Sequence, residues 1–495
     1  MKALTHNLQV VVLCASIALS ATAWAQDDSS DQSGGAPPAA TTPAQINAEN
    51  PPLSGLDAPT AEPAYGGRSY LLPGIQLSQS ANSNFNGNTG SNAHVNTISR
   101  GLGSLDLQKI WKNSQLGVDY IAGGVFYFGP HSTGQTRAYQ VHTFAANERI
   151  LWRTGQLAIR DSFDYLPEGS FGFSSFGGSG SFGSALGGSI PGVGGGTGVG
   201  GGLAGGTPPG QLGGAGSFGS VGLQPRISNS STIDVVQQLS PRSSFTIAGG
   251  YNFTNFLDKS QSAINLLNSQ QLSGQIGFNH LLSKRDQVGV LYAFQDFHFP
   301  TAQSGTVTAH VWHVLYGHRI SGRLNFTASG GPQVLIVHSP LLGESKRLSG
   351  NGSIALHYIF SSRTNGQVLY QRFVTPGSGF YAGANTDAAR VSLNHLFGRH
   401  WNAMGDGGYS QNRSLQKNLL TAGINSSSYD YWYVGGSLRR QIGRYFGAFM
   451  SYQFSSFGSG NCTTAGGSTA LCGQTVQQHI GSIGIDWHPR PIRLD

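Results

Sequence analysis

Apolar residues alternate with small or polar residues along most of the chain from about residue 69 onward. The clearest run is 116–128, where every second position is apolar or glycine, and the alternation returns at 245–253, 272–278 and 446–454. A period of two predicts β-strands with one apolar face. A soluble sandwich buries that face in a core, whereas a membrane barrel turns it toward lipid. The alternation alone therefore leaves both architectures open.

The connections between the predicted strands separate the two architectures. Every second connection is a short turn made of Gly, Pro, Ser or Asn with a basic residue: Lys112-Asn113-Ser114, Arg153-Thr154-Gly155, Ser240-Pro241-Arg242, Ser283-Lys284-Arg285-Asp286, Ser321-Gly322-Arg323, Ser361-Ser362-Arg363, Gly398-Arg399-His400 and Gly443-Arg444. The others are longer, so the pattern predicts strict alternation of short turns and long loops. Outer-membrane barrels are built this way, with short turns in the periplasm. About 18 such segments lie between Ile75 and Ile485. The sequence therefore predicts an all-β, antiparallel up-and-down barrel of about 18 strands, which is wide enough for an aqueous channel.

Composition supports a barrel over other exported folds. The chain has 73 Gly in 495 residues and only 10% charged residues, whereas globular proteins average about 25% charged residues. Beyond the N-terminus no apolar run approaches the roughly 20 residues of a membrane-spanning helix, which excludes a helical inner-membrane protein. A closed barrel is the other structure that crosses lipid. The net charge of +7 comes from dispersed residues, so nucleic acid is not a predicted partner.

The N-terminus predicts export. Residues 1–25 read as a signal peptide with a basic start, a short apolar stretch and Ala23-Trp24-Ala25 before cleavage after Ala25. Residues 26–66 are Pro- and Ala-rich and predict a disordered linker, too short for a plug domain. The barrel is expected over 67–489, with 490–495 as a C-terminal tail. The predicted location is the bacterial outer membrane.

A signal peptide, alternating strands, basic short turns and a last strand with His479, Ile483, Ile485 and Trp487 together resemble the bacterial outer-membrane porin and porin-like β-barrel family, over roughly residues 67–488. The resemblance implies contact with outer-membrane lipid, folding by the barrel assembly machinery and no catalytic centre. Barrels of this family usually end on an aromatic residue that the assembly machinery recognises. Here Trp487 is followed by eight more positions, 488–495, so the recognition signal is internal or the final register differs.

The longest connection runs from about Leu166 to Arg226 and is the third long loop. In general porins the third loop folds inward and narrows the channel. The acidic constriction residues of the family have no counterpart here beyond Glu168. Both a constricting loop and a surface loop therefore stay open.

Two cysteines, Cys462 and Cys472, remain after processing, and both lie in the last long loop. In an oxidising compartment such a pair predicts a disulfide. A metal site is the alternative, but the Thr, Gly and Ser between them offer no further ligands. The histidines show no paired metal-binding spacing and no framed catalytic triad, so neither a cofactor nor an enzymatic activity is predicted.

Charged residues on the polar face of the strands are the candidates for selectivity, because an Arg or Lys facing lipid at mid-bilayer costs about 2–4 kcal/mol. They are Asp119, Arg160, Asp164, Asp234, Arg390, Asp406 and Arg439. Ordinary ion pairs along the wall are an equally open role. Asp161 falls on the lipid-facing side and requires a bulge or contact with headgroups.

The sequence thus predicts passive or weakly selective diffusion of small hydrophilic solutes through an outer-membrane channel. A barrel of polysaccharide export or secretion machinery and a structural or adhesive surface barrel remain alternatives. The residues specify neither the transported solute nor the oligomeric state, and a homo-oligomer is open.

Overall fold

The computed structural model describes residues 69–84, 95–129, 137–168, 223–240, 242–257, 267–283, 285–300, 305–339, 343–375, 382–398, 400–415, 428–459 and 475–494. The strands are β1 (Tyr70–Asn82), β2 (Asn96–Ile110), β3 (Ser114–Phe128), β4 (Arg137–Trp152), β5 (Gly155–Glu168), β6 (Leu223–Ser240), β7 (Ser243–Phe256), β8 (Ser269–Leu281), β9 (Asp286–His298), β10 (Thr306–Arg319), β11 (Leu324–Ser339), β12 (Gly343–Ser361), β13 (Thr364–Thr375), β14 (Ala384–Phe397), β15 (Trp401–Ser414), β16 (Ser428–Ile442), β17 (Phe446–Ser459), β18 (Thr475–Trp487) and β19 (Ile492–Arg493). Within these ranges no helix has the length and apolar character needed to cross a membrane.

The strands form a closed antiparallel barrel. Each strand from β1 to β17 pairs with its successor in the chain. The ring closes where β1 pairs with β18, from Ile75 opposite Trp487 to Asn82 opposite Ile480. The predicted up-and-down barrel of 18 strands is therefore confirmed. The closing strand β18 ends on the outward-facing Trp487, so the predicted register of this strand holds, and the chain continues beyond the aromatic residue.

The two faces of the wall differ in chemistry. On β1, Gln76, Ser80 and Asn82 are buried, whereas Ile75 and Leu77 between and beside them are 50% and 53% exposed. The other strands repeat this alternation, with an outer face rich in exposed apolar side chains, including Tyr120, Phe126, Phe128, Ile247, Leu272, Ile276, Trp312, Val314, Ile354, Val391, Val434, Met450, Ile483 and Ile485. A closed barrel with an apolar outer band and a polar inner face is a transmembrane barrel.

Serine and glycine residues stabilise the conformation of the short turns. In four of them a serine hydroxyl accepts a hydrogen bond from the backbone N–H of the arginine two residues later: Ser240 with Arg242, Ser283 with Arg285, Ser321 with Arg323 and Ser361 with Arg363. This local bond stabilises a tight reversal of the chain. In two other turns Gly398 and Gly443 adopt φ of 67° and 69°, a conformation that glycine reaches without steric cost.

The connections at the opposite end differ from the expectation in two places. The link between β11 and β12 covers only 340–342, because both strands extend farther than their neighbours. Strict alternation of short turns and long loops is therefore wrong at this hairpin. The third loop is also shorter than predicted, since Leu166 and Arg226 are paired residues of β5 and β6, which leaves 169–222 as the connection.

Several predictions fall outside the described residues. These are the signal peptide, the linker, the cysteine pair and nearly all of the third loop. Part of the predicted tail, in contrast, is described. Ile492 and Arg493 form β19 and pair with Leu71 and Tyr70 at the start of β1.

Candidate functional site: the charged inner wall

The charged residues predicted for the channel all occupy inward positions of their strands. Asp119 lies on β3, Arg160 and Asp164 on β5, Asp234 on β6, Arg390 on β14, Asp406 on β15 and Arg439 on β16. Most alternate with outward apolar neighbours, although Asp161 follows Arg160 and Arg440 follows Arg439; Ala158, two residues before Arg160, is fully buried. The side chain of Arg160 lies outside the described residues.

Arg390 and Asp406 form a buried ion pair near mid-height of the wall. The Nε and Nη2 atoms of Arg390 both lie 2.7 Å from Asp406 Oδ2. The hydroxyl of Tyr433, on β16, donates to Asp406 Oδ1 at 2.6 Å. Because both carboxylate oxygens are engaged, the pair has the additional hydrogen bonding that a buried charge requires.

A second ion pair lies near the short-turn rim. Arg439 Nη2 is 2.7 Å from Asp486 Oδ2, and His488 Nε2 is 3.6 Å from the same oxygen. His488 follows the end of β18, and its burial lowers its pKa, an effect that the charge of Asp486 opposes and that of Arg439 reinforces. The cluster therefore places an arginine, a carboxylate and a titratable ring together at this end of the barrel.

Two glycines make room for this cluster. A Cβ on Gly447 would lie 2.7 and 2.8 Å from the carboxylate oxygens of Asp486. A Cβ on Gly74 would lie 2.6 Å from His488 Nδ1 and 2.5 Å from the Ser104 hydroxyl. Since real Cβ atoms do not approach polar atoms this closely, any larger residue at either position would displace the cluster.

Two carboxylates face each other across β2 and β3. Asp106 is the direct cross-strand partner of Asp119, and the Tyr70 hydroxyl donates to Asp106 Oδ2 at 3.0 Å. Like charges directly opposite each other repel. This pair gives the wall near the short turns an acidic patch, whereas the arginines on β14 and β16 are each paired with a carboxylate.

Sequence reasoning missed several charged residues of the inner wall, namely Arg100, Asp106, Arg226 and Asp486. Arg100 donates to the Ser80 hydroxyl at 2.7 Å, and Arg226 is only 6% exposed. The signal for Asp486 was present, because it alternates with the outward Ile485 and Trp487. On β2 neither face is uniformly apolar, so the inward position of Asp106 follows only from pairing with β1 and β3.

The inner wall is apolar near the long loops on one side. A buried cluster there consists of Leu267, Ala293, Phe297, Phe299, Val307, Ala309, Val311, Leu335, Val337, Val374, Ala382 and Leu415. Four of its members, Leu267, Phe299, Ala382 and Leu415, lie just beyond strand ends, so one end of each of four loops packs against the wall. Gly383, with φ of 85°, makes one such turn, and its carbonyl accepts from Leu415 N at 3.1 Å.

Asp161 is a carboxylate on the outer face near the middle of β5. No register shift interrupts its pairing with Ala146 and Ser231, so the bulge that would have turned it inward is absent there. Instead Asn229 donates to its Oδ1 at 3.1 Å, and the Ser231 hydroxyl donates to the same oxygen. Neighbouring polar side chains thus satisfy this carboxylate within the outer surface.

The fold of this chain is distantly similar to those of solved outer-membrane proteins. No protein-family model matches the chain, and no curated protein sequence matches it. Among solved structures, OccK1 (OpdK) of Pseudomonas aeruginosa is 10% identical, with a TM-score of 0.41 over 85% of this chain and 98% of that one. A BenF-like porin from Pseudomonas fluorescens Pf-5 is 10% identical, with a TM-score of 0.40 over 86% and 99%. The assignment as a barrel rests on the chain's own strand pairing.

Proposed function

We propose that this protein is an outer-membrane channel for passive or weakly selective diffusion of small hydrophilic solutes. The observation that carries the proposal is a closed barrel of 18 strands with charges of both signs on its inner wall. A barrel of this size encloses enough space for water, whereas about 8 strands would be filled by side chains. Charged side chains within a membrane are stable when they face water, and they are costly when they face lipid. A charged inner wall therefore supports a water-filled lumen.

The proposed selectivity residues are those that carry charge into the lumen: Asp119, Arg160, Asp164, Asp234, Arg390, Asp406 and Arg439. We add Asp106 and Asp486, which share the inward side of their strands. Arg390 and Asp406 lie near the middle of their strands, whereas Asp106, Asp119 and Asp486 lie nearer the short turns. A solute entering from the long loops would meet the apolar cluster on one side of the wall and Arg100, Asp164 and Arg226 elsewhere, before it reaches the Arg390–Asp406 pair.

The test is a single-channel recording of the refolded full chain in a planar bilayer. Discrete conductance steps, with a reversal potential in a salt gradient that shows weak ion preference, are expected. A protein that inserts and yet gives no conductance would contradict the channel and favour a structural barrel. Swelling of vesicles in sugars of increasing size would then measure the exclusion limit.

The third loop supplies a second, separable proposal. If it narrows the lumen, replacing 172–219 with a short Gly-Ser connection should raise conductance and admit larger solutes. An unchanged conductance and an unchanged exclusion limit would assign the loop to the cell surface. The wide lumen is the reason for expecting a constriction, and the glycine content of the loop makes its ordering entropically costly.

A further inference from the structure

The short-turn rim carries a ring of cations. One basic residue occupies nearly every short turn, and the described members are all exposed: Lys112, Arg153, Arg242, Arg285, Arg323, Arg363 and Arg444. Among the described residues of these turns the one carboxylate is Asp286, and it contacts Ser283 and His318, not a turn cation. No described carboxylate lies within ion-pair distance of these cations.

The opposite rim is different. There two outward-facing cations have acidic partners, as Lys346 has Glu344 at 3.2 Å and Arg372 has Asp387 at 3.8 Å. Among the described residues, unpaired positive charge is therefore concentrated at the short-turn rim. A ring of one sign attracts anions, because the potentials of its members add.

The level of the ring along the barrel indicates which anions it meets. Directly beside the turns, the outer face carries exposed aromatic side chains: Trp111, Trp152, Phe360, Phe397, Trp401, Phe446 and Trp487. Aromatic rings of this kind lie at the boundary between lipid tails and headgroups. Arg440 lies over the ring of Trp401 at 5.1 Å, which shows a cation already positioned in this belt. Cations just beyond an aromatic belt are at the height of lipid phosphates.

We propose that this basic ring binds the headgroups of anionic phospholipids in the leaflet that surrounds the short turns. Each Lys or Arg near an anionic leaflet contributes about 1 kcal/mol. Four of these turns share the same hydrogen bond, from the arginine backbone N–H to the serine hydroxyl two residues earlier. The inference depends on the barrel lying in a membrane and not on its conducting solutes.

The experiment measures lipid preference through the tryptophans of the rim, in a Trp312→Phe and Trp432→Phe background because those two exposed tryptophans lie away from the rim. The full-length protein is placed in mixed micelles, and its fluorescence is quenched with brominated phosphatidylglycerol or brominated phosphatidylcholine. We expect phosphatidylglycerol to be preferred. Changing Arg242, Arg323 and Arg363 to Gln should reduce that preference by up to about fivefold per arginine, the fold-change equivalent to roughly 1 kcal/mol. A control changes Lys346, Arg372 and Arg413 to Gln at the opposite rim, with gel mobility before and after boiling to confirm folding.

The proposal is supported if the turn variant loses the preference and the control keeps it. It is overturned if the wild type shows no preference for phosphatidylglycerol, or if both variants lose it equally. It is also overturned if the turn variant keeps the lipid preference but shifts the reversal potential, because the ring would then act on permeating ions. Absence of any conductance would contradict the channel without affecting this result.

Discussion

Arg439 contacts Asp486 across a strand that lies between them. The arginine belongs to β16 and the carboxylate to β18, and their side chains meet at 2.7 Å over the inner face of β17. The residue of β17 that pairs with Asp486 is Gly447. The contact therefore depends on a missing side chain as much as on two opposite charges.

We predict that Gly447→Ala breaks this contact. The new Cβ would lie within 2.8 Å of both carboxylate oxygens, so Asp486 must move away from Arg439. Leaving a buried charge without its partner costs about 3–5 kcal/mol, and the variant should unfold at lower urea concentration. Gly481→Ala is the matched control, because a Cβ there meets nothing within 4 Å. Equal midpoints for the two variants would count against the proposed packing.

Opposite changes in the other ion pair should shift ion selectivity in opposite directions. Arg390→Met leaves the carboxylate of Asp406 as the net charge of the site, so the reversal potential should move toward cations. Asp406→Asn leaves the guanidinium and should move it toward anions. Both variants should also lose stability, because each leaves one buried charge unpaired. If both reversal potentials move in the same direction, these residues do not line the path of the permeating ions.

Periodicity was sufficient to predict which face of each strand is apolar, because a single-residue slip would turn every apolar side chain inward, and the short turns then separated a barrel from a sandwich. The same rule placed Arg390, Asp406 and Arg439 on the inner face. It could not show that Arg439 and Asp486 meet, since they belong to strands that are not neighbours in the sheet. Nor could it show that the tail returns to β1, because a two-residue strand has no period to read.

Asp161 should depend on its polar neighbours on the outer face. Ser231→Ala removes one donor to a carboxylate that faces lipid, and hydrogen bonds to charged groups contribute about 1.5–3 kcal/mol. The free energy of unfolding should fall by that amount. In an Asp161→Leu background the same serine change should have little effect, which a double-mutant cycle would measure. An equal loss in both backgrounds would show that Ser231 stabilises the barrel independently of Asp161.

The C-terminal tail, 490–495, should stabilise the seam of the barrel, which is the β1–β18 pairing, at the short-turn rim. β18 ends opposite Ile75, so the first residues of β1 pair instead with β19, and Lys109 Nζ donates to the Leu494 carbonyl at 2.9 Å. Truncation after Arg490 should lower the unfolding free energy by about 2–3 kcal/mol, at roughly 1 kcal/mol for each lost hydrogen bond. Removal of Asp495 alone is the control.

Cross-linking would test the same contact in the membrane. In a Cys462→Ser and Cys472→Ser background, cysteines at Leu71 and Ile492 should form a disulfide, because the two residues pair directly. Cysteines at Leu77 and Ile485 provide a positive control within the seam. A cross-link in the control alone would show that β19 does not lie on β1.

His488 should make the barrel less stable in acid. Burial lowers its pKa in the folded protein, with Arg439 acting in the same direction and Asp486 against it, whereas in the unfolded chain the pKa is about 6.5. The folded state therefore binds fewer protons, and its stability falls as the pH drops below about 6.5, until the folded ring also becomes protonated. His488→Asn should remove this part of the pH dependence when urea midpoints are compared at neutral and acidic pH. His400→Asn, at an exposed turn on the same rim, is the control. If the two variants respond to pH as the wild type does, His488 does not contribute to the acid sensitivity.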